Sequence, residues 1–265
     1  MSLQTICELF GYTRQAYYKR LRRNNEGVVD DIRKLMPRLG TRKLHYMLQE
    51  QGIVISRDRL FDLLRENRML VRKRKKYTVT TNSKHWMKKY PNLIKPNHLW
   101  VSDITYIPIE NSHAYLSLIT DACSRKILGH YFSQNLASEG TLKALGLALF
   151  DNTVNIQGLI HHSDKGIQYY CKEYVELLKS NCIRISMTEN GDPYENALAE
   201  RVNGILKDEW LNLEKFEIFE QAEERINQII NIYNEIRPHL SCSMKTPAQK
   251  HNSKSTPKFI GKKKL

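Results

Sequence analysis

Residues 98–240 contain two kinds of apolar pattern, one typical of strands and one typical of helices. The segments HLWVSDITYIPI, AYLSLITDA and KILGHYFS are rich in aromatic and β-branched residues, which favours three strands. Because the connections between them are short, we predict an antiparallel meander. The segments GLIHHSD and IRISM predict a fourth and a fifth strand.

Segments with helical spacing lie between and after these strands. In SEGTLKALGLALF, Leu142, Leu145 and Leu149 recur at intervals of three and four residues. The segment CKEYVELLKS shows the same spacing, and residues 196–212 and 216–234 are also predicted to be helical. The resulting order of strands and helices predicts an α/β domain with a mixed five-stranded sheet.

The first 76 residues have helical patterns and many basic side chains. Residues 3–22 predict two short helices joined by a turn. Residues 41–67 predict a longer pair, with Thr41 as the N-cap of the first helix, Gly52 at its end and Ser56 as the N-cap of the second. This part of the chain is therefore predicted to be a small all-α region.

Two short helices joined by a glycine turn are typical of a helix-turn-helix. Arg57 and Arg59 lie at the start of the second helix, so we expect them to contact DNA. A plain helical hairpin is the alternative, and only the basic surroundings favour DNA binding. The chain as a whole then divides into four predicted parts: a DNA-binding region at 1–76, a linker at 77–97, an α/β domain at 98–250 and a basic, disordered tail at 251–265.

The charge of the chain indicates a polyanionic partner. Lys and Arg number 42 against 28 Asp and Glu, giving a net charge of +14 and a pI near 9.5 over 265 residues. Such an excess favours nucleic acid over an anionic membrane surface. A run of five basic residues, predicted to follow a phosphate backbone, consists of Arg72, Lys73, Arg74, Lys75 and Lys76.

The remaining composition narrows the class of protein. No apolar run reaches the length of about 18 residues expected of a membrane-spanning helix, and the N-terminus lacks the pattern of a signal peptide. We therefore expect a cytoplasmic protein. The five cysteines are scattered and form no C-x-x-C pair, which argues against a disulfide framework and a cysteine zinc site.

Three acids stand out from this basic chain. Asp103 lies inside an apolar strand, Asp164 ends another strand, and Glu200 lies on a helix with Lys207 two turns later on the same face. Each acid alone has an ordinary structural explanation, as an ion-pair partner, a helix cap or a solvated side chain. Together they form a set of hard oxygen ligands that suits Mg²⁺. Two such ions, roughly 4 Å apart, would stabilise the attacking and leaving oxygens at a phosphodiester.

Several sequence words extend this pattern. They are WVSDITYI around Asp103, HSDKGIQY around Asp164, SMTENGDPYENALAE before Glu200, LKDE around Lys207, and YNEIRPHLSCSMKTPAQ at 233–249. In this order they resemble the insertion-sequence-three (IS3) family of bacterial transposases, specifically the product of the second reading frame. That family belongs to the superfamily of DDE transposases and retroviral integrases. The resemblance covers nearly the whole chain.

The resemblance implies an RNase H-like catalytic core and residue roles within it. Asp103, Asp164 and Glu200 become the metal-binding catalytic triad, with Mg²⁺, replaceable by Mn²⁺, as the cofactor. Lys207 is expected to touch DNA near the scissile phosphate, and Arg237 and His239 are also expected to face DNA. Further matches are expected mainly to shape the site: His162, Gly166, Asn196 (with a helix cap as the alternative), Tyr233, Asn234 and Pro238. Ile167 departs from the family pattern, in which a small polar residue is more usual.

The implied activity is strand cleavage at the ends of an insertion sequence, followed by strand transfer of the freed 3′-OH. The implied partners are the terminal inverted repeats, target DNA, a second copy of the chain to hold two ends, and an upstream-frame (OrfA) polypeptide. The expected location is the bacterial cytoplasm, in association with the nucleoid. No membrane partner is expected.

Three other readings compete with this one. A retroviral-type integrase would carry an N-terminal His₂Cys₂ zinc module, but the N-terminal region offers only His45 and Cys7. A noncatalytic, sequence-specific DNA-binding protein would have no reason to place three acids at these spacings. A simple RNase H-type nuclease would not need the N-terminal helices. The chain could also be an incomplete subunit that acts only with the upstream-frame product.

Overall fold

The computed structural model describes residues 27–71, 98–110, 112–150, 156–188 and 196–253, together with Thr13 and Gln15. The chain divides into two compact units, Met1–Lys73 and Arg74–Leu265. Several predicted features lie outside the described residues: most of the helix pair at 3–22, the basic run at 72–76, the linker at 77–97 and the tail from 254 onwards.

The described part of the first unit, residues 27–71, contains three helices, which we label α1 (27–35), α2 (Thr41–Glu50) and α3 (Arg57–Glu66). Two leucines four residues apart are buried in α2 (Leu44 and Leu48) and in α3 (Leu60 and Leu64), as expected of an amphipathic helix that packs along one face. The buried residues of the unit are Ile32, Met36, Leu39, Leu44, Leu48, Leu60 and Leu64. The all-α character predicted for these residues is therefore present in the described part.

The ends of α2 and α3 differ in part from the sequence prediction. Thr41 is the first residue of α2 rather than its N-cap; Gly40 holds that position and offers no side chain. Gly52 follows the end of α2 with φ +77°, a conformation that glycine adopts without strain. Ser56 caps α3 as predicted, since its hydroxyl accepts a hydrogen bond from the Arg59 amide at 3.2 Å.

The second unit is built on the predicted mixed five-stranded sheet. Its strands, in chain order, are β1 (Leu99–Ile109), β2 (Ser112–Asp121), β3 (Ile127–Ser133), β4 (Ile160–Ser163) and β5 (Arg184–Met187). The spatial order is β3-β2-β1-β4-β5. The first three strands form the predicted antiparallel meander, whereas β1 pairs with β4 and β4 with β5 in parallel.

Helices cover both faces of this sheet. They are α4 (Ser138–Phe150), α5 (Lys172–Ser180), α6 (Ala197–Glu209), α7 (Phe219–Asn231) and α8 (Pro247–Asn252). Trp100 of β1 packs with α4 and α5 in the main apolar core. Its neighbour Val101 packs with Ala199 of α6. Because successive strand residues point to opposite faces, α6 lies on the face opposite α4 and α5.

The last helix is fixed to the sheet by a polar contact. The ring of His251 lies 3.2 Å from a carboxylate oxygen of buried Asp121, which also accepts a hydrogen bond from Ser124. Thr246 and Gln249 form a reciprocal capping box at the start of α8. His251 and Asn252, predicted to begin the tail, therefore belong to this helix. Within the described residues, no helix is long and apolar enough to cross a membrane.

The end of α5 provides a test of local strain. Cys182 follows this helix with φ +57°, and the amide of Ile183 donates to the carbonyl of Leu178, as in a Schellman motif. Left-handed backbone costs an L-residue about 1–2 kcal/mol, against roughly 0.5–1 kcal/mol for the extra chain entropy of glycine. We expect Cys182→Gly to raise the free energy of unfolding by about 0.5–1 kcal/mol in urea titrations.

The matched control is Ser180→Gly, which places glycine at the last residue of the same helix. It should instead lower stability by roughly 0.5–1 kcal/mol, because no positive φ is relieved there. Equal effects of the two substitutions would contradict the assignment of strain to Cys182.

Candidate active site

Three separate elements bring the three acids of the sequence prediction towards one another. Val101 of β1 pairs with His162 of β4 in parallel register, so two residues further along both strands Asp103 and Asp164 reach the same level. Glu200 lies in the first turn of α6, which packs on these strands through Ala199. Burial raises the pKa of Asp103, and the negative charges of Asp164 and, least of all, Glu200 raise it further, so both acids lie within electrostatic reach of Asp103.

Asp103 is the most perturbed of the three. Burial, followed by repulsion from Asp164, raises its pKa from 3.8 to about 7. Two hydrogen bonds oppose this rise: the side-chain amide of Asn203 donates to one carboxylate oxygen at 2.8 Å, and the amide of Ile104 donates to the other at 3.0 Å. The carboxylate is therefore held in a fixed orientation although its charge is disfavoured.

Asp164 is oriented by the turn that follows β4. Its Oδ1 accepts a hydrogen bond from the amide of Gly166 at 3.0 Å, which partly offsets the rise in pKa that burial causes. A Cβ at Gly166 would lie 3.1 Å from that oxygen and 3.0 Å from Oε1 of Gln168. Glycine thus leaves room for the close approach between the turn and the carboxylate.

Glu200 completes the set in a different environment. The Glu200 side chain is exposed. Its pKa is nevertheless raised, first by partial burial of the carboxyl group and then by repulsion from Asp164. The first turn of a helix is a favourable place for a carboxylate, because the helix dipole is positive there. In this structure, however, no three His, Cys, Asp or Glu side chains among the described residues are arranged to hold one metal ion.

The chemistry of the surrounding donors and acceptors nevertheless fits a hydrated cation. Three buried oxygens close in sequence to the acids have no hydrogen-bond partner: Asn203 Oδ1, Ser163 Oγ and Asn196 Oδ1. Two of them can only accept, and the carboxylates beside them also accept. A site rich in acceptors and poor in donors is suited to a cation whose bound waters supply the missing donors.

Asn196 does not act as the helix cap considered from the sequence. It occupies the N-cap position of α6, but its side chain makes no capping hydrogen bond. Instead its amide donates to the carbonyl of Ser102 at 3.3 Å, next to Asp103 on β1. Asn196 therefore ties the start of α6 to the strand that carries Asp103.

The histidines before Asp164 hold β4 in place. The His162 ring lies 2.8 Å from the hydroxyl of Ser186 on β5, and its role in shaping the site stays a prediction. The His161 ring is bonded to the hydroxyl of Tyr174 at 2.9 Å. Burial, followed by the proximity of His162, lowers the pKa of His161 to about 3. His161 is therefore neutral at physiological pH.

Lys207 lies within electrostatic reach of Asp103. It is half-buried on α6; burial lowers the pKa of its ammonium group, while attraction to Asp103 and then Asp208 raises it. The side chain thus extends from the helix face that carries Glu200 and Asn203. Its predicted contact with DNA stays a prediction.

Arg237 does not fit its predicted role as a DNA contact. Its side chain is only 2% exposed, and Nε and one terminal nitrogen donate to the two carboxylate oxygens of Glu209, each at 2.7 Å. Both arms of the guanidinium are therefore occupied inside the protein. His239 is half-exposed and its ring lies 2.9 Å from the hydroxyl of Ser241, so a DNA contact there stays a prediction.

Two residues with clear roles were missed or undervalued in the sequence. Asn203 was not singled out, although it lies three residues after Glu200 and four before Lys207, on the same helix face. Asn234 was expected only to shape the site. Its Oδ1 accepts a hydrogen bond from the Ile127 amide at 3.0 Å, and its Nδ2 donates one to the Ile127 carbonyl at 2.9 Å. Asn234 thereby fixes the start of β3.

The pKa of Asp103 predicts how the metal-free protein responds to pH. Since the folded-state pKa lies above the ordinary value, the folded state binds the proton more tightly between about pH 4 and pH 7. Stability should therefore fall as pH rises through this window. Asp103→Asn should flatten this decline and make the protein more stable than wild type at pH 8, as measured by urea unfolding with EDTA.

The substituted amide is accommodated, because Asn203 can rotate its unpartnered Oδ1 towards it. Glu220→Gln, an exposed acid in the first turn of α7, is the matched control and should leave the decline unchanged. The same pH dependence in wild type and Asp103→Asn would show that Asp103 does not carry the raised pKa.

The buried ion pair predicts a stability effect at Arg237. Arg237→Leu leaves the Glu209 carboxylate buried without its partner, which should cost about 3–5 kcal/mol in the free energy of unfolding. Adding Glu209→Leu should recover most of that loss, because a buried ion pair contributes little net stability over apolar residues. Urea titrations measure both. Unchanged stability of Arg237→Leu, with weakened DNA binding, would instead restore the predicted DNA contact.

Comparison with known proteins places this geometry in a family. Two family descriptions, each reading "Integrase core domain", match residues 94–193 and residues 181–247. The simian T-cell lymphotropic virus intasome, solved by cryo-electron microscopy with PP2A regulatory subunit B56 gamma, contains a similar chain. The TM-score is 0.51 at 22% identity, covering 69% of this chain and 64% of that one. This likeness confirms the predicted RNase H-like α/β fold.

Curated relatives extend the match over almost the whole chain. The "Insertion element IS600 uncharacterized 31 kDa protein" of Shigella sonnei is 32% identical over 262 residues, which cover 92% of this chain and 96% of that protein. "Transposase InsF for insertion sequence IS3A" of Escherichia coli (strain K12) is 28% identical over 223 residues, covering 81% of this chain and 77% of that protein. The chain therefore belongs to the insertion-sequence transposases that contain an integrase core domain.

Proposed function

We propose that this chain is a DNA transposase that cleaves strands at the ends of an insertion sequence and transfers them to new DNA. The observation that carries the proposal is the placement of Asp103 and Asp164 at the same level of two paired strands, with Glu200 within their electrostatic reach, in a chain of net charge +14. A fold that brings mutually repelling acids together in a basic protein needs a cation there and a polyanion beside it. Membership of the transposase family supports the same activity.

The three carboxylates are the proposed ligands of two Mg²⁺ ions, for which Mn²⁺ can substitute. When bound, the ions would stabilise the attacking and leaving oxygens at the scissile phosphodiester. The protein's own part is orientation: Asn203 and the Ile104 amide fix Asp103, and the Gly166 amide fixes Asp164. Glu200, on an exposed side chain, is the ligand that has to approach the other two.

Basic side chains supply the proposed contacts with DNA. Lys207 is the contact near the scissile phosphate, because its ammonium group lies within the electrostatic reach of Asp103. His239 and the run from Arg72 to Lys76 are proposed to bind the phosphate backbone further away. The DNA partners are the terminal inverted repeats and the target. Holding two ends requires at least two copies of the chain, and an upstream-frame (OrfA) polypeptide is a proposed partner.

A cleavage assay tests the proposed function. The substrate is a duplex that carries the boundary between this element and its flanking DNA, supplied with Mg²⁺ or Mn²⁺. Wild type should nick the boundary, whereas Asp103→Asn, Asp164→Asn and Glu200→Gln should each lose more than about 100-fold in rate, since loss of a ligand costs more than loss of its supporting group. Gel-shift binding of the same duplex should be nearly unchanged.

Glu220→Gln serves as the matched control for Glu200→Gln, because it also neutralises an acid in the first turn of a helix. Its cleavage rate should equal that of wild type. Cleavage that persists in any of the three site variants would remove that residue from the proposed triad. Binding without cleavage by wild type, both alone and fused to the upstream-frame product, would favour a noncatalytic DNA-binding protein.

A further inference from the structure

The outward side of α3 has two flanks of opposite net charge. Arg57, Phe61 and Arg65 are spaced four residues apart and so line up along one flank, with Asp58 beside them. The other flank is formed by Arg59, Asp62 and Glu66. The first flank carries two positive charges against one negative, and the second carries one positive against two negative.

We propose that α3 reads DNA base edges through its first flank, the Arg57–Phe61–Arg65 flank, and that the Arg59 flank faces away from the DNA. This inference rests on the proposed function, since it takes DNA as the partner. It changes the expectation drawn from the sequence, in which Arg57 and Arg59 were equal candidates for DNA contacts.

Phe61 provides the strongest sign that this flank meets a partner. The core of the unit is filled from α3 by Leu60 and Leu64, which are 2% exposed, while Phe61 is 40% exposed. The guanidinium of Arg65 lies 5.0 Å from the centre of the Phe61 ring. An exposed ring between arginines is suited to DNA bases, because apolar side chains contact the thymine methyl group and arginine pairs with guanine in the major groove.

The arginines of this flank are oriented by exposed ion pairs that a DNA base can replace. Arg57 donates through Nε and Nη2 to Oδ1 of Asp58, at 3.0 and 2.9 Å, and Arg65 pairs with Asp62 at 3.1 Å. All four side chains are at least half exposed. Exposed ion pairs of this kind contribute at most about 1 kcal/mol, so guanine can replace the carboxylate as a partner.

The charges on α3 and α2 assign base reading and phosphate binding to different helices. The helix has three arginines and three acids, so its net charge is zero and it contributes little to nonspecific attraction. In contrast, α2 carries Arg42 and Lys43 in a first turn that has no acid. This division matches a helix-turn-helix, in which the first helix crosses the backbone and the second enters the groove.

The length of the flank sets the size of the proposed contact. Arg57 and Arg65 are eight residues apart, which is about 12 Å along a helix axis. At 3.4 Å per base step, this length spans roughly four base pairs. The proposed flank thus reads a short segment, within the reach of one recognition helix.

The test compares four alanine variants of the full chain: Arg57→Ala, Phe61→Ala, Arg65→Ala and the matched control Arg59→Ala. Alanine preserves the helix, and circular dichroism melting checks the fold. Fluorescence anisotropy gives the Kd for the element-boundary duplex and for a shuffled duplex of the same composition. The ratio of the two Kd values is the specificity, and its measurement at two salt concentrations gives the salt dependence.

We expect each variant of the Arg57–Phe61–Arg65 flank to lose about 5- to 150-fold in specificity with little change in the affinity for shuffled DNA. Arg59→Ala should stay within about twofold of wild type, in the range of ordinary surface substitutions. Arg57→Lys keeps the charge but loses the two-pronged donor, so it should lose specificity while retaining the salt dependence.

The results that would overturn the proposal are distinct from failure of the proposed function. Specificity that survives Arg57→Ala and Arg65→Ala, or that falls most in Arg59→Ala, would overturn it while wild type still cleaves the boundary. An unchanged specificity in Phe61→Ala, with a changed oligomeric state, would assign the ring to a protein contact instead. A wild-type chain that neither binds nor cleaves the boundary duplex would overturn the proposed function as well.

Discussion

The parallel pairing of β1 with β4 is the constraint on which the candidate site depends. The register that joins Val101 to His162 sets Asp103 and Asp164 side by side, although the two charges repel. The fold holds this arrangement through many apolar contacts elsewhere, and each carboxylate is further fixed by hydrogen bonds from its surroundings. Burial first, and repulsion from Asp164 second, raises the pKa of Asp103, so the charged form of this carboxyl is disfavoured at this position.

The helix that carries Glu200 is held at both ends. Near its start, the Asn196 side chain donates a hydrogen bond to the carbonyl of Ser102, and Ala199 packs against the strands. At its end, Glu209 is buried in a two-pronged ion pair with Arg237. Neither anchor is one of the three acids. The helix is thereby positioned from outside the site, which leaves the Glu200 side chain exposed while its backbone is fixed.

Much of the fold and the identity of the acids could be predicted from the sequence, because both can be recognised from short stretches of residues. Segments rich in aromatic and β-branched residues predicted the strands, and Asp103 stood out as a charged residue within one of them. The orientation of a side chain could not be predicted in this way, because it depends on residues that are distant in the sequence. Arg237 looked like a surface cation, and only the packed structure shows Glu209 opposite it, 28 residues away. Asn203 could have been found from its spacing to Glu200, but an asparagine on a helix has no distinctive local pattern.

The choice between Arg57 and Arg59 shows the same limit within a single helix. Both arginines appear equivalent in the sequence, since they are two residues apart and both basic. They differ because they lie on different sides of the helix: Arg57 lies beside Phe61, and Arg59 lies beside Glu66. Sequence reasoning located the helix, whereas the packing of Leu60 and Leu64 decides which of its sides is outermost.

The hydrogen bonds between Asn234 and Ile127 have a consequence for the open edge of the sheet. β3 is an edge strand of the sheet, and an open edge offers backbone groups to which another strand can add. The amide of Asn234 occupies both backbone groups of Ile127, and β5 at the opposite edge is only four residues long. Addition of another strand is therefore disfavoured at the start of β3, and β5 offers only a short edge for it.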